Sequence, residues 1–195
     1  MRPIPESAPS SVPESRADMV RRRVVEAVSD AMYSVRHVEH GELHLYLALL
    51  QDRLPIYVGT VTDLHAQVGQ ADVRKNLMLV AEATIGFYNE VLTAKAAVLA
   101  SPAQLVRLRE VMLPRQLGPH QAEQAVAAYL RQEQELGRVA ADVETSGAAR
   151  LLLGACLNYV FTVLLLGDDI LPPREEYVAD LVQALRLPPD PDPAP

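Results

Sequence analysis

Tryptophan is absent from this chain of 195 residues, phenylalanine occurs twice and cysteine once. A single thiol, Cys156, excludes an intrachain disulfide. The fold must therefore be held by its apolar core. Basic charge is also short: 18 Lys and Arg stand against 25 Asp and Glu, for a net charge of −7. That balance excludes a generally basic nucleic-acid binder and leaves room for a local patch, of which Arg21, Arg22 and Arg23 are the one obvious case. There is no Gly-rich phosphate loop, no Gly-x-Ser-x-Gly elbow and no His-Glu-x-x-His pair. No basic side chain adjoins Cys156 in sequence to activate it. Nothing here argues for an enzyme, and no cofactor is expected. No basic start followed by an apolar stretch opens the chain, so the cytoplasm is the expected compartment.

What is present is helix-forming. Apolar residues make up 49% of the chain, enough for a sizeable core, and Ala, Leu and Val dominate with Gln, Glu and Arg around them. Residues 1–15 and 188–195 are rich in proline without periodicity and read as disordered tails. Between them lie seven helical patterns. Asp18 opens the first, whose stripe is Val24, Val28, Ala31 and Val35. The second starts near Glu42 with Leu43, Leu47 and Leu50 on one face. Pro55 kinks or restarts it, and Gly69 stops it. Asp72 caps a long third helix with the stripe Leu77, Val80, Thr84, Phe87, Val91 and Val98. Ser101-Pro102-Ala103-Gln104 starts a fourth, which ends before Pro114. The fifth runs from Gly118-Pro119 to Leu136, Asp142 opens the sixth, and Pro172-Pro173 start the seventh. Short connections and no strand pair make the fold class all-α, a helix bundle.

Leu151 to Leu166 is almost entirely apolar and close to the length that spans a bilayer. Arg150 at its start, Gly154 and Asn158 inside it, and Asp168 and Asp169 after it favour a helix buried in a bundle or a dimer interface, with no membrane partner. His37, His40 and His44, with Glu39 and Glu42 between them, have helical metal-ligand spacing. A closed site needs a further ligand that the sequence does not place, so the stretch reads as a solvated helix start, and no metal is expected.

Two stretches resemble the C-terminal domain of TetR-family transcriptional regulators: VAEATIGFYNEVLTAKAAVLASPAQLVRLREVML, residues 80–113, and GPHQAEQAVAAYLRQEQELGRVAADVETSGAARLLLGACLNYVF, residues 118–161. The order Tyr129-Leu130, Gly137-Arg138, Asp142, then Ala148 to Ala155, carries the likeness. The resemblance implies a TetR-type helical bundle that forms a homodimer through a four-helix interface and encloses an apolar pocket for a small effector. On that basis Phe87, Tyr88, Met112, Tyr129 and Tyr159, with Asn89 and Asn158 as hydrogen-bonding groups, are the candidate ligand-binding residues. Leu152, Cys156, Val163, Tyr177, Leu181 and Leu185 are the candidate dimer interface. The chain departs from the family near its start. Residues 22–32 resemble the family's first helix and residues 36–50 the segment after its recognition helix. Three residues separate the two matches, so roughly ~20 residues of helix-turn-helix are missing.

The expected organisation is a tail (1–15), a truncated helix-turn-helix remnant (16–41), an effector-binding and dimerisation domain (42–187) and a second tail (188–195). Arg21, Arg22, Arg23, Arg36 and His37 are the candidate contacts to double-stranded DNA. The alternative for the arginines is a solvated helix surface balanced by Asp18 and Glu26. Two functions follow from the resemblance. One is a regulator that senses an apolar effector. The other is an effector-domain remnant that binds ligand, or pairs with another regulator, without reading DNA.

Overall fold

Asp72, the cap expected for the longest helix, accepts hydrogen bonds from the amides of Arg74 (2.7 Å) and Lys75 (3.1 Å). It thereby satisfies two of the donors that a helix start leaves open. The computed structural model describes residues 16–35 and 41–187. Both tails and the connection 36–40, with Arg36, His37, Glu39 and His40, lie outside the described residues, as do the side chains of Ala31 and Val35. The helices are α1 (Arg16–Val35), α2 (Glu42–Asp63), α3 (Val73–Ala100), α4 (Pro102–Met112), α5 (Pro119–Glu135), α6 (Thr145–Leu166) and α7 (Arg174–Ala184). Short 3-10 turns, Leu64–Gln67 and Asp168–Ile170, follow α2 and α6. Among the described residues there is no strand, so the fold class is all-α.

The spine is α3, whose 28 residues span about 42 Å at 1.5 Å each. It packs against α2, α4, α6 and α7. Its expected stripe is buried at Leu77, Val80, Thr84, Val91 and Val98. Phe87 is only partly buried because it faces a cavity instead. Pro55 does not interrupt α2, which runs through it as one helix. Between α3 and α4 the chain bends by 119° at Ser101. Ser101 Oγ caps α4 through a long contact, 3.5 Å, to the Gln104 amide.

The turn after α5 fixes more than a direction. Gly137 sits at φ +75°, its amide donates to the Gln134 carbonyl at 3.0 Å, and the Arg138 amide donates to the Glu133 carbonyl at 2.9 Å. That pair of bonds is a Schellman stop, which needs a residue tolerant of the left-handed region. It also folds the Arg138 side chain back onto Glu133, whose carboxylate is fully buried, with N···O of 3.3 Å. Beyond the turn, Gln134 Nε2 donates to the carbonyls of Ala140 (2.7 Å) and Val143 (3.1 Å). The cap of α6 is then Glu144 rather than Asp142: its carboxylate accepts from the amides of Ser146 (3.1 Å) and Gly147. Asp142 is exposed, two residues too early to reach them.

α1 belongs to the same core as the rest. Val24 and Val28 are buried in it. Gln51 Nε2 donates to Ser29 Oγ at 3.0 Å, and Arg21 lies over Gly59, where a β-carbon would collide with its guanidinium. Arg21 facing Gly59 and Ser29 facing Gln51 require α1 and α2 to run antiparallel. The remnant expected at 16–41 is therefore one arm of a helical hairpin packed into the bundle.

Candidate ligand cavity

One face of α2 carries Tyr46, Leu50, Leu54, Tyr57 and Val61, spaced by three and four residues. That face looks into a cavity of about 490 Å³ closed by α1 (Val20, Val24), α3 (Phe87, Tyr88, Lys95), α4 (Leu108, Met112) and the start of α5 (Ala122, Ala125). The volume and the mostly apolar wall are those of a small-molecule site.

Aromatic rings make its floor. Tyr57 stacks on Phe87, centroids 4.7 Å apart and planes 11° from parallel. Phe87 meets Tyr88 at 5.4 Å and 60°. The Tyr57 hydroxyl lies 3.2 Å from Thr84 Oγ1. Thr84 spends its one proton on the Val80 carbonyl at 2.7 Å, so Tyr57 is the donor. Burial raises the Tyr57 and Tyr46 phenols well above the usual tyrosine range, and both stay neutral. The Lys95 ammonium sits 5.8 Å from the centre of the Tyr88 ring, within cation-π range. Burial pulls its pKa below the ordinary lysine value.

Of the expected ligand-binding residues, the structure brings Phe87, Tyr88 and Met112 together on this cavity. Tyr129 is fully buried elsewhere. Its hydroxyl accepts from Asn76 Nδ2 at 2.9 Å. Tyr159 packs against Tyr177, centroids 4.7 Å apart, and Tyr177 donates to the Ala155 carbonyl at 3.1 Å, which joins α6 to α7. Asn89 and Asn158 are exposed and line no part of the cavity. Sequence reasoning missed α2, which supplies the largest share of the wall. The signal was available in the three-and-four spacing of Tyr46 to Val61.

The surface of α6 is displaced from the expected interface. Leu152 and Cys156 are fully buried inside the chain, while Val163, Tyr177, Leu181 and Leu185 are partly buried. The exposed seam is instead Leu151, Gly154, Asn158, Phe161 and Leu165, again spaced by three and four. Among the described residues α6 alone is a single helix long and apolar enough to cross a bilayer, and only 28% of its most apolar window is buried. Burial, with the Glu82 charge adding to it, pushes the Cys156 thiol up to about 12, so no reactive thiolate forms near neutrality.

Arg21, Arg22 and Arg23 are exposed on α1. Arg21 pairs with Asp18 at 3.1 Å. Among the described residues no cluster of three or more His, Cys, Asp or Glu side chains is placed to hold a metal. No protein family model, no curated protein and no solved structure matches this chain.

Proposed function

We propose that this chain binds an apolar small molecule as the effector half of a TetR-type regulator does, works as a homodimer through the exposed face of α6, and carries no helix-turn-helix reader of its own. The cavity of about 490 Å³ with its Tyr57–Phe87–Tyr88 floor is the observation that carries the reading. Well-packed cores leave few voids larger than a water molecule. A space this size, walled by four helices and the start of a fifth, is room kept for a guest. The bare seam on α6 supports the dimer, since a long apolar stripe left in water is a contact awaiting a partner.

Binding is tested with a neutral fluorescent probe, N-phenyl-1-naphthylamine. We expect saturable binding at one site per chain, weakened more than about tenfold by Leu54→Trp, which pushes an indole into the cavity, with little change in helix content. Non-saturable binding, or binding that ignores Leu54→Trp, refutes the cavity as the site.

The DNA part of the reading has its own measurement. In fluorescence anisotropy, a labelled fragment of the chain's own upstream region should bind no better than random DNA. Any affinity should vanish toward physiological salt, as phosphate attraction alone does. Selective binding that survives that salt would restore a DNA-reading regulator.

A further inference from the structure

The charges around the cavity are of one sign. Lys95 and Arg109 are the charged residues that line it, and among the described residues no carboxylate does. This happens in a chain with 25 acidic and 18 basic residues, so the lining runs against the composition. Lys95 is partly buried, with its ammonium near the face of the Tyr88 ring. Glu123, whose charge bears on Tyr88, is not part of the lining and faces Arg150 at 4.0 Å.

A second feature has the same sign. The first turn of α5, Gly118 to Ala122, lines the cavity. Gly118 offers no side-chain cap, and the positive end of the α5 dipole adds to the sign of the two side chains.

Building on the cavity-binding reading above, we infer that the ligand is an apolar molecule carrying a single carboxylate, its body in the aromatic and aliphatic part and its anion beside Lys95. The volume, at about 30 Å³ per water-sized group, holds roughly 16 non-hydrogen atoms, the size of a medium-chain fatty acid or a small ring acid. Burial without a counter-charge disfavours the Lys95 ammonium. A carboxylate removes that penalty and gains a charge-assisted hydrogen bond. A cationic ligand would meet Lys95 and Arg109 with nothing to offset them.

The test is calorimetric titration with dodecanoate, dodecan-1-ol and dodecyltrimethylammonium, each below its aggregation threshold. The protein is the full chain and its Lys95→Met and Lys95→Arg variants. Dodecanoate should bind the full chain about ten- to a hundredfold more tightly than dodecanol, and the ammonium should bind worst. Lys95→Met should bring the acid near parity with the alcohol, and Lys95→Arg should keep most of the preference. Methionine removes a buried charge, so that variant should melt no lower than the parent. Equal affinity for acid and alcohol in the parent chain, or a preference that survives Lys95→Met, overturns the inference and leaves the cavity reading standing. Absence of binding by all three ligands overturns both.

Discussion

Replacing Arg138 by methionine should lower the stability of the fold by about 3–5 kcal/mol, the cost of leaving one partner of a buried ion pair alone. The carboxylate of Glu133 is fully buried and its guanidinium partner only 15% exposed, so solvent cannot take over the lost contact. Glu133 Oε1 keeps the Gly69 amide at 3.1 Å, and the Tyr129 phenol lies close enough to feel its charge. Neither replaces a positive charge. Arg138 further donates to the Ala71 carbonyl, which ties the turn after α5 to the segment that leads into α3. The loss should appear in thermal unfolding followed by circular dichroism as a drop of about 6–20 °C, at 2–4 °C per kcal/mol for a chain of this size. The double variant Glu133→Met/Arg138→Met should recover most of it, because an apolar pair of similar volume leaves no charge to desolvate. A single variant that melts within a degree or two of the parent would show that the neutral donors around Glu133 suffice.

Phe161→Arg should break the proposed dimer. The seam on α6 leaves Leu151 66%, Phe161 48% and Leu165 61% exposed in the subunit. In a twofold interface each change is made twice. At about 2 kcal/mol for each central aromatic lost, doubling gives about 4 kcal/mol, roughly a thousandfold in dissociation constant. Sedimentation velocity over a concentration series should show dimers for the parent at micromolar concentration and monomers for the variant. A parent chain that is monomeric throughout would sink the dimer reading. Flotation with liposomes would then be the natural next measurement, since α6 also has the length and hydropathy of a membrane span.

Helix starts and stops were legible because they rest on local chemistry. Asp72, Ser101 and Gly137 act within a turn of themselves, and each does what its residue type requires. The sixth helix shows the limit. By residue type Asp142 is the better cap, yet Glu144 caps the helix, with Gln134 bonded across the turn that separates them from α5. The α6 faces were illegible for a different reason. A helix apolar all round gives no contrast between Leu151, which is exposed, and Leu152, which is buried. In the site, Phe87, Tyr88 and Met112 stood out by size, whereas Tyr129 is as large and is buried against Asn76. The face of α2 looked like ordinary core because an apolar cavity wall and an apolar core share one periodicity. Lys95 carried no sequence signal. Its meaning comes from its place on a cavity whose described lining holds no carboxylate, and that exists only in three dimensions.

Tyr57 and Phe87 form a partition with a space on each side. Behind them lies a second, more open crevice of about 310 Å³ bordered by Arg53, Glu82, Glu90 and Arg174. Arg53 pairs there with Glu90 at 2.9 Å, and Arg174 joins α7 to Glu82 of α3. The two spaces share that wall. A guest in the cavity proposed above would therefore press on rings whose far side borders the Arg174–Glu82 mooring of α7.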